Sequence, residues 1–80
     1  MDGGFSARGL VDQLEYDEFS EEDAIAAVSS LNVDWNHQAA LKAKQYLSME
    51  GFSHSGLVGQ LEYDKFTAAQ AEFGAEAAGL

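Results

Sequence analysis

No cysteine and no proline occur in these 80 residues, only four side chains are basic, and no long apolar run interrupts the polar pattern. Each absence excludes something. Without thiols there is no disulfide framework, no thiolate nucleophile and no soft metal ligand. Without proline nothing breaks a helix from within. The abundance of Ala, Leu, Glu and Gln, against scattered β-branched residues, predicts helix throughout. A membrane-spanning helix needs about 18 or more consecutive apolar residues, so no part of this segment is expected to insert directly into a bilayer. Fourteen acidic residues face the four basic ones, a formal charge of −10, which repels phosphate backbones and anionic lipid and favours basic partners. The expectation is a small all-α protein that binds no nucleic acid.

The chain says one thing twice. From Gly4 to Val28, 13 of 25 positions are identical to the segment 47 residues downstream. "GFSARGLVDQLEYDEFS" returns as "GFSHSGLVGQLEYDKFT". A repeat of this kind reads as one structural unit used twice. In each copy a Phe precedes a Ser, with Leu five beyond the Phe: Phe5, Ser6 and Leu10, then Phe52, Ser53 and Leu57. Ser as N-cap, with Phe stapled onto Leu, is a helix start. The same signal recurs at Phe19-Ser20 and Phe66-Thr67, where Thr67 with Gln70 predicts a capping box and Ser20 with Asp23 a weaker one.

Each repeat thus encodes two helices. The first spans 7–17, with Leu10, Val11 and Leu14 on one face. The second spans 21–30, with Ala24, Ile25, Val28 and Leu31 inward. Their partners lie near 54–64 and 68–78. Between the copies, "DWNHQAALKAKQYLSMEG" reads as one longer helix, Asp34 its N-cap and Gly51 its C′ residue. Trp35, Ala39, Ala43, Tyr46 and Leu47 follow the helical period, and Trp35 begins the apolar stripe as a core residue. The architecture expected is five short helices forming two tandem helix-turn-helix repeats on a shared central helix. The single domain 1–80 then divides into a first repeat at 4–31 and a complete three-helix repeat at 34–80. "MDGGFS" echoes "SMEGFS", so the first copy is expected to lack an upstream helix and the chain to be an excerpt of a longer one. Gly9 and Gly56, matched in the first turns, predict a close backbone approach.

These elements resemble the repeat of the host cell surface-exposed lipoprotein family, also called Ltp-like. The marks are Trp35, Ala39, Ala43 and Tyr46-Leu47, then Gly51 to Ser53, Gly56-Leu57 and Gln60-Leu61, and finally Phe66-Thr67 with Gln70-Ala71. The resemblance implies tandem three-helix modules displayed outside a Gram-positive cell by an N-terminal lipid anchor. Phage-encoded members act in superinfection exclusion, engaging an incoming phage's tape measure protein and stopping DNA transfer. The alternative is a chromosomally encoded envelope lipoprotein module with a structural or adhesive role. No Cys here carries a lipid, so the anchor and the cell-surface location are expected of the parent protein.

The candidate protein-binding site is acidic: Asp12, Glu15, Asp17, Glu18, Glu21, Glu22 and Asp23, joined by Tyr16. Up to Asp34, nine acidic residues face Arg8 alone; beyond it, five face three lysines. The bland reading is a solvated face with acids suitably placed in the second helix's first turn. Against it, Asp17 and Glu18 stand at a helix C-terminus, where negative charge is disfavoured. The second copy also replaces Asp12, Glu18, Glu21 and Glu22 by Gly59, Lys65, Ala68 and Ala69. The expected partner is a basic protein segment. Tyr16 and Tyr63 either close the core edge or offer an interface ring. Catalysis has thin raw material, since Ser6 and Ser53 are caps and His37 and His54 stand where positive charge is disfavoured, without triad partners. No metal site, cofactor or enzyme activity is expected, and a monomer is favoured over an oligomer. Neither helix 21–30 nor helix 68–78 carries a Lys or Arg, so helix-turn-helix geometry here does not imply DNA binding.

Overall fold

A computed structural model describes residues 4–80. The echo in Met1 to Gly3 lies outside the described residues. Five helices follow in order, α1 (Ala7–Tyr16), α2 (Glu21–Ser29), α3 (Trp35–Met49), α4 (His54–Tyr63) and α5 (Ala68–Ala77), with no strand among the described residues. All begin as their caps dictate. The side chains of Ser6, Ser20, Asp34, Ser53 and Thr67 each accept from the backbone N–H three residues on, and Thr67 with Gln70 closes the full capping box.

The ends of α1 and α4 carry the turn of each pair. Phe19 N–H donates to the Leu14 carbonyl and Glu18 N–H to that of Glu15. In the other copy Phe66 donates to Leu61 and Lys65 to Glu62. These are Schellman caps, and they force Glu18 and Lys65 to φ of 75° and 74°, a region that disfavours any side chain with a Cβ. The expected cap at Gly51 is not of this type. There the chain leaves α3 through an extended Glu50, because Gly51 and Phe52 must run straight into the next N-cap.

The core forms as two clusters. Leu57, Leu61, Phe66, Ala71 and Ala75 from α4, α5 and their turn bury against Ala39 and Ala43 of α3. The second cluster, Val11, Ala24 and Val28, is smaller and is flanked by Leu10, Leu14 and Trp35. Helix α3 packs chiefly on α5 and less on α4, while α1 and α2 pack on each other. The reason lies at Gly74, where a Cβ would fall 2.8 Å from the Ala39 carbonyl carbon and oxygen and 2.9 Å from its Cβ. Small residues on both sides let these backbones close in. Gly9 and Gly56 do something else: the atom nearest each is the Oγ of its own N-cap serine, at 2.7 and 3.0 Å.

The two pairs meet through α3 and the α4 turn. Gln38 Oε1 accepts from the N–H groups of Gly4 (2.7 Å) and Phe5 (3.2 Å). Ser6, buried, donates its hydroxyl to the Asp64 carbonyl at 2.7 Å. Trp35 is half-buried and packs on the second, smaller cluster rather than into the main core. Ile25 and Leu31, expected inward, stand 43% and 48% exposed, because the Ala24–Val28 stripe alone faces α1 and none of the described helices lies over the neighbouring face.

Candidate functional site

Helix α1 delivers Asp12, Glu15 and Tyr16, the turn delivers Asp17 and Glu18, and the first turn of α2 delivers Glu21, Glu22 and Asp23. The structure divides this set. Arg8 gathers three of the carboxylates, Asp12 at 3.0 Å, Glu15 at 3.5 Å and Glu21 at 3.8 Å. Asp12 also pairs with Lys65 from the opposite turn, which holds its carboxyl below the usual aspartate range, with the Arg8 charge assisting. These three acids serve the seam between the helix pairs and the α1–α2 contact as much as any surface.

Asp17, Glu18, Glu22 and Asp23 remain exposed and form no ion pair with another described residue. Tyr16 beside them is 84% exposed, and Tyr63 in the other copy 80%. The core-edge reading of both tyrosines therefore fails: each sits in its helix's last turn, on the side away from the partner helix. Phe19, 48% exposed, adds a second ring to the same turn, whereas its counterpart Phe66 is 4% exposed. The result is an exposed turn with two aromatic rings, four carboxylates that pair with no other described residue, and a left-handed Glu18.

The sequence reading missed the polar knot opposite. The Tyr46 hydroxyl donates to the Asp64 carboxylate and accepts from Gln60 Nε2 at 3.2 Å. Burial, and then that donation to Asp64, push the phenol above its ordinary pKa. Lys42 Nζ lies 5.4 Å from the Tyr46 ring centre, a cation–π distance. The "LEYD" repetition conceals the difference, since Asp17 and Asp64 match in sequence and only Asp64 meets a tyrosine. His54 is also unlike its sequence reading. Its Nδ1 lies 2.8 Å from the Leu80 carbonyl and its Nε2 2.9 Å from Glu72 Oε1. Hydrogen bonding to Leu80, then to Glu72, raises its pKa above 6.5 despite its place at the start of α4.

Among the described residues, no three His, Asp or Glu side chains converge as a metal ion requires. No described helix is long and apolar enough to cross a membrane. What the site offers chemically is negative potential with aromatic contact area. Against known proteins, the model of one family, described as host cell surface-exposed lipoprotein, matches residues 34–77. No curated protein and no solved structure matches the chain.

Proposed function

The chain belongs to the host cell surface-exposed lipoprotein family, and from that premise we propose that it is an extracellular protein-binding module, held at the cell surface by a lipid anchor outside this segment. Its two helix pairs act as tandem helix-turn-helix repeats around α3. Its partner is a basic, helical stretch of protein, a phage tape measure protein in the superinfection-exclusion version, and binding obstructs DNA injection by steric and electrostatic blockade. The observation that carries this reading is the α1–α2 turn. Asp17, Glu18, Glu22 and Asp23 lie exposed there, ion-paired with no other described residue, beside the exposed rings of Tyr16 and Phe19. Carboxylates at a helix C-terminus cost stability, and a side chain held at positive φ costs more. Steering of a basic partner is a use for the first, and aromatic area is a grip once it arrives.

Replacing Asp17, Glu18, Glu22 and Asp23 together with Lys tests the reading. Binding to a basic tape measure segment, measured by calorimetry, is lost while the helical circular dichroism stays unchanged. Unaltered affinity overturns the acidic site. In the unsubstituted protein, association slows as salt rises, because exposed charges are screened beyond about 8–10 Å at physiological ionic strength.

A further inference from the structure

The duplication separates what the scaffold needs from what it does not. Among the described positions at which the two copies are identical, only one is exposed in both, Tyr16 in the first and Tyr63 in the second. Every other shared residue is buried or half-buried in at least one copy, so burial accounts for its repetition. At the remaining positions exposed in both copies the residue differs, as Glu18 and Lys65, Glu21 and Ala68, and Ile25 and Glu72 do. Local structure does not ask for the ring either. Tyrosine is a poorer helix former than alanine, leucine or lysine, and the caps that follow close through Leu14 and Phe19 or Leu61 and Phe66. Nor is a neighbouring repeat the cover. The second copy follows the first and leaves Tyr16 open, the first precedes the second and leaves Tyr63 open, and α3, which leads into the second pair, does not cover Tyr63.

We infer that Tyr16 and Tyr63 are two contact rings for one basic segment of a partner protein, each receiving the cation of an Arg or Lys side chain on its face. The ring face is the negative pole of the aromatic quadrupole. The flanking charge has the same sign, since exposed Asp17 and Glu18 follow Tyr16 and exposed Glu62 precedes Tyr63. Lys65, two residues beyond Tyr63, is paired with Asp12, which stands one helical turn before Tyr16 on the same face of α1. That ion pair brings the two tyrosines into one neighbourhood across the seam, so a single segment reaches both. The inference rests on the protein-binding reading above and extends it to Tyr63, a second anchor outside the acidic turn.

The probe is a peptide of alternating Arg and Ala, about a dozen residues long, titrated into the 80-residue protein and followed by the ring resonances of both tyrosines. The two sets are expected to shift together. Tyr16→Ala and Tyr63→Ala each weaken binding about two- to fivefold, and the double variant about five- to thirtyfold, as exposed cation–π contacts give. Circular dichroism and the unfolding midpoint stay where they are. Tyr16→Phe and Tyr63→Phe keep the affinity, because the face and not the hydroxyl is used, whereas Tyr63→Leu loses it as Tyr63→Ala does. Absence of ring shifts at millimolar peptide, or unaltered affinity in Tyr63→Ala, overturns the inference. So does a Tyr63→Leu variant that binds like the parent, which reduces the contact to apolar area. Ring shifts that grow with protein concentration alone make the partner a second copy, and shifts given by a neutral oligosaccharide but not by the peptide make it a glycan; either result overturns it. Charge reversal at Asp17, Glu18, Glu22 and Asp23 separates the two readings. If reversal abolishes peptide binding and Tyr63→Ala does not weaken it, the rings fail and the acidic site stands; the opposite pattern keeps the rings and removes the acidic site.

Discussion

At the scale of single residues, Glu18 and Lys65 are held against their own preference. Glu18 sits at φ 75° to complete a cap that glycine would complete without strain, as Gly79 does at φ 102° beyond α5. Glu18→Gly is therefore expected to stabilise the fold by about 1 kcal/mol, the lower end of the left-handed penalty, read as a higher midpoint in thermal or urea unfolding. His54 has acceptors at both ring nitrogens, so both must carry protons for the bridge from α4 to Glu72 and Leu80 to be complete. Its pKa is raised on folding, so the protonated ring adds stability that is fully present below 6.5, the ordinary value, and lost as pH rises through the folded value. An NMR titration of the ring is expected to report a midpoint above 6.5. His54→Gln should flatten the pH dependence of unfolding in that window. Asp12 has the opposite sign: its lowered pKa stabilises above the ordinary value of 3.8 and is lost as pH falls through the folded value.

At the scale of helices, glycine decides where α3 goes. Gly74→Ala drives a methyl into the Ala39 backbone, and since neither backbone can yield without moving a whole helix, a loss of about 1–3 kcal/mol is expected. Gly59 is the control. It lies inside α4 with open space around it, so Gly59→Ala should gain about 0.5–1 kcal/mol from helix propensity. Chemical denaturation of the two variants checks both signs, and equal effects would deny the close α3–α5 crossing its special role. The helices themselves were legible beforehand because caps are local: Ser6, Ser20, Asp34, Ser53 and Thr67 announce their starts through bonds only three residues long. Gly74 was not legible, because its meaning depends on Ala39, 35 residues away in sequence.

For the whole molecule, identical words acquire different environments. Phe19 and Phe66 occupy matching turns, yet only Phe66 is covered, since α3 packs on the second pair and reaches the first mainly through Trp35, Gln38 and Lys42. The seam between the pairs rests on small polar devices: Ser6 to the Asp64 carbonyl, Lys65 to Asp12, and Gln38 to Gly4 and Phe5. Ser6→Ala removes both an N-cap and the bond across the seam. Ser53→Ala removes only a cap. The first should cost more than the second in thermal unfolding, where a cap alone is worth about 1 kcal/mol. Of the candidate acidic site, the sequence disclosed the cluster but not its division, because the reach of Arg8 to three carboxylates and of Lys65 across the seam depends on how the pairs dock.

By itself, then, the amino-acid order determined the helices, their starts, the duplication and the negative surface. These follow from short-range hydrogen bonding, hydrophobic periodicity and charge, none of which needs a neighbour distant in the chain. Tertiary structure alone decided which pair α3 covers, which carboxylates are spent within the molecule, and which of the two matching phenylalanines, Phe19 and Phe66, is buried. Each of those depends on backbones approaching within van der Waals contact, and that distance is set jointly by residues that are remote from one another until the chain has folded.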